Sequence, residues 1–218
     1  MWKKYSYFIL LFYVVFGFFI WPAAGMLALV CMLAPILLAP FAGRQWCGRY
    51  CPRGSLWDQV FAKISPKKPI PVWAKAPWFR TLMLFVIFTV FGWQMTTAWP
   101  DPSAIGLVFL RIIFITTIIG AVLAVLYSPR TWCIFCPMGT LAALLAKGKK
   151  PLTVDKSCVN CRLCAKACPM DLSPQQAKGD VFSAADCLKC GQCIPVCPKK
   201  ALAFQPSSSC SLPPAKAQ

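Results

Sequence analysis

Cys158-Val159-Asn160-Cys161-Arg162-Leu163-Cys164-Ala165-Lys166-Ala167-Cys168-Pro169 is answered by Cys187-Leu188-Lys189-Cys190-Gly191-Gln192-Cys193-Ile194-Pro195-Val196-Cys197-Pro198. Both stretches read Cys-x2-Cys-x2-Cys-x3-Cys-Pro, the spacing of a small domain that holds two [4Fe-4S] clusters. Three cysteines at x2 intervals wrap one corner of a cube, and the fourth, on the following helix, faces the other cluster. The expected ligand sets are therefore Cys158, Cys161, Cys164 and Cys197 for one cluster, and Cys187, Cys190, Cys193 and Cys168 for the other. Short strands are expected at Leu152 to Val154, Val181-Phe182 and Ala201 to Phe204, closing a compact α+β domain over residues 151–205. The Pro/Ser-rich end, 206–218, reads as disordered, and its Cys210 as a non-ligand.

Upstream of this domain the composition changes. The chain is 58% hydrophobic and 13% charged, about half the charge of an ordinary soluble domain. No charged residue lies between Tyr5 and Ala42, a run too long for one span at 1.5 Å per residue. Trp21-Pro22-Ala23-Ala24-Gly25 is the natural break, because proline disfavours continuation and glycine permits reversal. Phe79 to Trp99 and Leu107 to Tyr127 make a second pair around Pro100-Asp101-Pro102-Ser103. Residues 1–150 thus read as a four-helix membrane domain. A cleaved signal peptide is the competing reading of the first span, but its apolar region is too long for one and another span follows at once. All but Arg111 of the 23 lysines and arginines flank the spans on one side. The positive-inside rule then puts both termini, the middle loop and the cysteine domain in the cytoplasm, with the chain multi-pass in the cytoplasmic (inner) membrane. Arg111 reads equally as a partnered intramembrane charge or as a snorkelling one, and Cys31 as a packing residue.

The two membrane halves end alike. Arg44-Gln45-Trp46-Cys47-Gly48-Arg49-Tyr50-Cys51-Pro52-Arg53-Gly54-Ser55-Leu56 and Arg130-Thr131-Trp132-Cys133-Ile134-Phe135-Cys136-Pro137-Met138-Gly139-Thr140-Leu141 share Arg, Trp, two Cys, Pro, Gly, a hydroxyl residue and Leu in order. This is a tandem duplication of a helical hairpin with a Cys-Pro loop. Two copies of like orientation are related by an axis along the membrane normal, so their loops can converge on it. Cys47, Cys51, Cys133 and Cys136 are then a candidate four-thiolate site for a third, membrane-proximal cluster. Proline after the second cysteine suits a helix start, and Arg44, Arg49, Arg53 and Arg130 offer positive charge to thiolates. A four-cysteine zinc site fits the same residue types. The stripe Leu56, Trp57, Val60, Phe61 and Ile64 reads either as an interfacial helix or as packing against the other hairpin.

The remaining composition narrows the chemistry. Histidine and glutamate are absent, leaving the six aspartates Asp58, Asp101, Asp155, Asp171, Asp180 and Asp186 as the only acids. Without histidine the usual axial ligand of haem is missing, so no haem is expected. A disulfide framework does not suit the reducing compartment. The net charge of +17 is offset by −2 for each cluster held by four thiolates, and the excess remains on the membrane half, where it suits lipid headgroups or the cluster itself. Nucleic-acid binding has no motif to support it.

With these motifs the chain resembles the NapH/MauN-type iron-sulfur proteins and the membrane part of the NosR-type regulators, over about residues 1–205. The second loop departs from the pattern, being Cys-x2-Cys rather than Cys-x3-Cys. The resemblance implies three [4Fe-4S] clusters and a non-catalytic electron-transfer subunit of an oxidoreductase complex. Such a subunit relays electrons between a cytoplasmic redox partner and the quinone pool or another membrane or periplasmic redox protein. Asp58, Tyr50 and Arg49 are the candidates for a quinone contact. An assembly factor that supplies electrons for metalloprotein biogenesis, or a membrane anchor for the cysteine domain, are the other readings.

Overall fold

The computed structural model describes residues 2–146 and 148–204. It is mostly helical. Helix α1 (Trp2–Phe19) ends where Trp21-Pro22 breaks the chain, and a 3-10 segment, Pro22–Leu27, leads into α2 (Ala28–Ala42). The first loop carries a π turn (Trp46–Tyr50), then α3 (Pro52–Leu56), a second π turn (Trp57–Phe61) and α4 (Ala62–Ile64). Helix α5 (Val72–Lys75) precedes the long antiparallel pair α6 (Pro77–Ala98) and α7 (Pro102–Leu126). The second loop is α8 (Thr131–Phe135) followed by α9 (Pro137–Leu145).

Three stretches among the described residues are long and apolar enough to cross a bilayer: Pro22–Ala42, Pro77–Ala98 and Pro102–Leu126. Helix α1 is apolar from Tyr5, but its 18 residues give only about 27 Å against a hydrocarbon core of about 30 Å. Helix α7 begins five residues before the expected Leu107, because Asp101 caps it, accepting the Ser103 amide at 2.9 Å, and Pro102 occupies the first turn. Near that end, Gly25 and Gly106 let the 3-10 segment cross α7 backbone to backbone, where a Cβ on either would overlap the other strand's carbonyl. Trp57 and Leu56 are buried against Leu10 and Ala124 with Val60 and Phe61 packed beside them, so the stripe after the first loop packs inward except at Ile64, which is 63% exposed. Arg111 is exposed, facing away from the bundle, and Cys31 is exposed on α2.

In residues 151–204 the strands fall where the spacing predicts them. β1 (Leu152–Val154) lies between β2 (Val181–Phe182) and β3 (Leu202–Phe204), antiparallel to both. A four-residue helix, α10 (Leu163–Lys166), follows the first cysteine loop. Leu152, Val154, Cys164 and Leu202 form the core of this lobe. Residues 206–218, including Cys210, lie outside the described residues.

Candidate iron-sulfur centres

The lobe's eight cysteines open onto two separate cavities. Cys158, Cys161, Cys164 and Cys197 line one, with Val159, Leu163 and Pro198. Cys168, Cys187, Cys190 and Cys193 line the other, with Pro169 and Leu188. The fourth cysteine of each motif has crossed to the other motif's cavity, the pairing that the spacing leads one to expect. Backbone conformation explains how the loops close. Asn160 and Arg162 in the first motif, and Lys189 and Gly191 in the second, take φ between +53° and +77° at equivalent positions. Left-handed residues are uncommon outside glycine; here they recur in register and turn the successive sulfurs toward one centre. Burial and the neighbouring Cys190, Cys187 and Cys168 push the Cys193 thiol up to about 12. Burial also raises Cys164 and Cys168, while the Leu172 and Met170 amides pull Cys168 back down. Metal charge is what such clustered thiolates require in order to ionise together.

The Cys-Pro loops of the membrane half bring Cys47, Cys51, Cys133 and Cys136 round a single cavity of about 390 Å³. Cys51 and Cys136 stand at the N-termini of α3 and α9, each followed by proline at the first helical position. Two arginines brace the loops crosswise. Arg44, from the first copy, donates to the Cys133 carbonyl at 2.7 Å, and Arg130, from the second, donates to the Cys47 carbonyl at 3.1 Å. Each guanidinium lies against the matching glycine of the opposite copy: a Cβ on Gly54 would stand 2.7 Å from Arg130 Nη1, and one on Gly139 2.7 Å from Arg44 Nη2. Both arginines are 1% exposed. Arg130 also reaches Cys133 Sγ at 3.6 Å and makes a two-pronged pair with Asp58, 2.8 Å on each oxygen. Asp58 and Cys133 hold the Arg130 charge firmly in place against the cost of burial.

The two copies differ at one carboxylate. Asp58 lies four residues after Gly54, and the corresponding residue after Gly139 is Ala143, buried in α9. Arg44 takes its carboxylate instead from Asp186, at 3.1 Å, the residue before Cys187. Arg80 grips the same carboxylate at 2.9 and 2.7 Å. Behind this dock the backbones touch, and a Cβ on Gly48 would overlap the Leu188 carbonyl. Met170 and Leu188 are buried with Ile70, Ala74, Trp132 and Phe135, and Cys47, Cys133, Cys136, Cys168 and Cys190 pack against this same cluster. The cavity of Cys168, Cys187, Cys190 and Cys193 is thus the one that abuts the membrane loops.

The membrane cavity fits an anionic group. Arg44 Nε, Trp46 Nε1, Arg53 Nε and Nη2, and Trp132 Nε1 are buried without a hydrogen-bond partner among the described residues, and all four residues line it. Unpaired buried donors are costly, about 1–3 kcal/mol each; an array of donors with no acceptor among them matches a cluster's sulfurs and thiolates. Burial and Cys47 push the Cys51 thiol up to about 12, while the Gly54 amide opposes that shift. Burial raises Cys47 too, against the pull of Arg44 and Arg130. Of the charges near this loop, Arg49 is exposed, as is Tyr50, and Asp58 is committed to Arg130. Asp186, Arg80, Trp46 and Trp132 join this site without having been singled out from the sequence. The repeated Arg-x-Trp-Cys is the signal that could have found the tryptophans.

Fold and cysteines together define a membrane iron-sulfur protein. The family model described as "4Fe-4S dicluster domain" matches residues 157–202, and that described as "4Fe-4S binding domain" matches twice, at residues 24–71 and 107–154. The chain is a NapH-like member of this class. It is similar to the "Ferredoxin-type protein NapH" of Haemophilus influenzae, 27% identical over 191 residues, which cover 78% of this chain and 64% of that protein. Two uncharacterised proteins of Methanocaldococcus jannaschii are 26% and 25% identical over 187 and 189 residues, covering 81% and 78% of this chain and 70% and 75% of the relatives. No solved structure matches.

Proposed function

We propose that the chain is an electron-transfer subunit holding three [4Fe-4S] clusters in a row. Cys158, Cys161, Cys164 and Cys197 hold the outermost, Cys187, Cys190, Cys193 and Cys168 the middle one, and Cys47, Cys51, Cys133 and Cys136 the innermost. The clusters, when bound, supply one-electron storage; the chain's residues set their order and surroundings. The observation that carries the reading is the shared core in which Cys168 and Cys190 pack with Cys47, Cys133 and Cys136. Two arginines cross-brace the membrane site, and unpaired donors line it. Iron-sulfur is favoured over zinc there because the family model described as "4Fe-4S binding domain" covers both loops and the cavity between them, about 390 Å³, is far larger than a single ion needs. Cysteines that hold a cube are spread round its corners.

In this reading residues 1–150 form a membrane domain in which α1 is the fourth, short span. Residues 151–205 form the two-cluster domain on the cytoplasmic face. The chain works within a larger complex, linking a cytoplasmic redox partner to a membrane or periplasmic one, or to quinone. The test is metal analysis and EPR on the full-length chain. Twelve irons and three reducible signals are expected at four irons per cluster. Cys47→Ser with Cys133→Ser should remove one signal and leave the other two. Eight irons in the unmodified protein, or zinc bound at the loops, would refute the membrane cluster.

A further inference from the structure

The cysteine lobe sorts its charges by side. The polar and close backbone contacts between this lobe and residues 1–150 fall in segments 168–172 and 186–190: Asp186 to Arg44 and Arg80, Asp171 to Lys75, Ser128 to the Pro169 carbonyl, and Gly48 against Leu188. Two of the lobe's four aspartates are spent there. The other two hold their own turns, Asp155 accepting the Ser157 amide at 2.8 Å and Asp180 the Val181 amide at 2.7 Å. Lys189 is buried, so the exposed cations Lys156, Arg162, Lys166, Lys178, Lys199 and Lys200 face few carboxylates.

Arg162 and Lys199 stand at the mouth of the cavity lined by Cys158, Cys161, Cys164 and Cys197. Neither side chain has an ion-pair or hydrogen-bond partner among the described residues. Between them Val159 is 56% and Leu163 42% exposed, an apolar spot beside the cysteine cavity. Cys161 is itself exposed. An open cleft of about 480 Å³ adjoins this mouth, sharing Arg162 and Gln175 and adding Lys178.

An apolar spot ringed by unpaired cations, at the exposed end of a row of electron-storing sites, has the makeup of a docking face. We propose that this face receives an acidic one-electron carrier protein, its carboxylates meeting Arg162, Lys178 and Lys199 and its apolar rim covering Val159 and Leu163. One electron crosses per encounter. The carrier's centre is oxidised as the cluster held by Cys158, Cys161, Cys164 and Cys197 is reduced, or the reverse, with no bond or proton exchanged. A lipid surface is the other acidic target for such a rim, but the lobe meets the membrane half through its opposite segments. The proposal rests on the iron-sulfur reading of the lobe.

Stopped-flow reduction of the full-length, cluster-loaded chain in neutral-lipid nanodiscs tests it, with a reduced acidic two-cluster ferredoxin as the probe. Charge steering raises association rates ten-fold to a thousand-fold and falls with salt. The Lys178→Glu, Lys199→Glu double variant is therefore expected to lose at least ten-fold in second-order rate and most of its salt dependence. Photoreduction by a neutral deazaflavin should be unchanged in the same variant. A rate equal to that of the unmodified chain overturns the proposal. So does an effect of the variant confined to binding of phosphatidylglycerol vesicles, which would assign the rim to lipid. Absence of the two lobe EPR signals from the unmodified chain would instead sink the cluster reading, so the two failures are distinguishable.

Discussion

Replacing Asp186 by alanine removes the single carboxylate that both Arg44 and Arg80 grip. Arg44 is 1% exposed and would keep only the Cys133 carbonyl; the Asp186 side chain is 24% exposed. Breaking a buried pair costs about 3–5 kcal/mol, chiefly because a charge is left uncompensated. Partial exposure of the carboxylate puts this case near the lower end, about 3 kcal/mol. At 1.4 kcal/mol per factor of ten that shifts the docked-to-open equilibrium by roughly a hundred-fold. The lobe does not fall away, because Met170 and Leu188 remain buried and each such side chain contributes about 1.5–3 kcal/mol. What changes is the frequency of opening, which hydrogen exchange reports. In Asp186→Ala, amides of segments 186–190 and 44–51 should exchange about a hundred-fold faster, while β1 and β3 keep their protection. Lys75→Ala is the control. Its bridge to Asp171 is 37% and 45% exposed, worth under about 1 kcal/mol, so exchange should rise five-fold at most. Equal exchange in the two variants would show that the dock is apolar and the ion triad idle.

Four further outcomes follow from the same contacts. Arg53→Met removes a cation whose Nε and Nη2 are buried and unpaired; charge-assisted bonds of about 1.5–3 kcal/mol strengthen as a cluster is reduced. An EPR redox titration should show the membrane signal alone moving to lower potential, and an unmoved signal would deny Arg53 that role. Asp58→Ala strands Arg130 at 1% exposure and should destabilise the membrane half by about 3–5 kcal/mol, read as lost thermal stability and lost membrane cluster with the lobe clusters retained. Gly48→Ala forces a Cβ onto the Leu188 carbonyl, so it should open the dock as Asp186→Ala does while leaving the ion triad's residues unchanged. Ala143→Asp supplies the carboxylate the second copy lacks; in the Asp186→Ala background it should restore membrane-site stability but not the slow exchange of segment 186–190.

Cysteine spacing carried most of the architecture, because a cube constrains its ligands more tightly than any packing rule. The x2-x2-x3 pattern groups the same cysteines that line the two lobe cavities, Cys197 with the first motif and Cys168 with the second, and the strands followed from short apolar runs on either side. Duplication in the membrane half brought Cys47, Cys51, Cys133 and Cys136 round one cavity. Less was legible where a residue acts across sequence distance. Arg44 and Arg130 were visible as nearby charges, but nothing in one dimension says that each reaches the other copy's first cysteine carbonyl. Asp186 was invisible for the same reason, since its partners lie more than a hundred residues away. Asn160 and Gly191 suit their left-handed turns, but Arg162 and Lys189 at the equivalent positions carry no residue signature, because the loop imposes that conformation on side chains that do not favour it.

Where the two membrane copies have diverged is where the molecule stops being symmetric in function. Keeping Arg, Trp, Cys and Gly in both copies preserves a cage whose two halves hold each other. With alanine at that place in the second copy, the buried Arg44 guanidinium has no carboxylate partner from the membrane half among the described residues, and a buried charge does not stay unbalanced. Asp186 satisfies it from the lobe, beside Cys187. The debt created inside the cage is thereby met by the residue that brings the second set of lobe cysteines against the first membrane loop. With an aspartate in both copies the cage would close on itself, and the lobe would be held by Arg80 on Asp186, its apolar contacts and an exposed lysine bridge, without the buried Arg44.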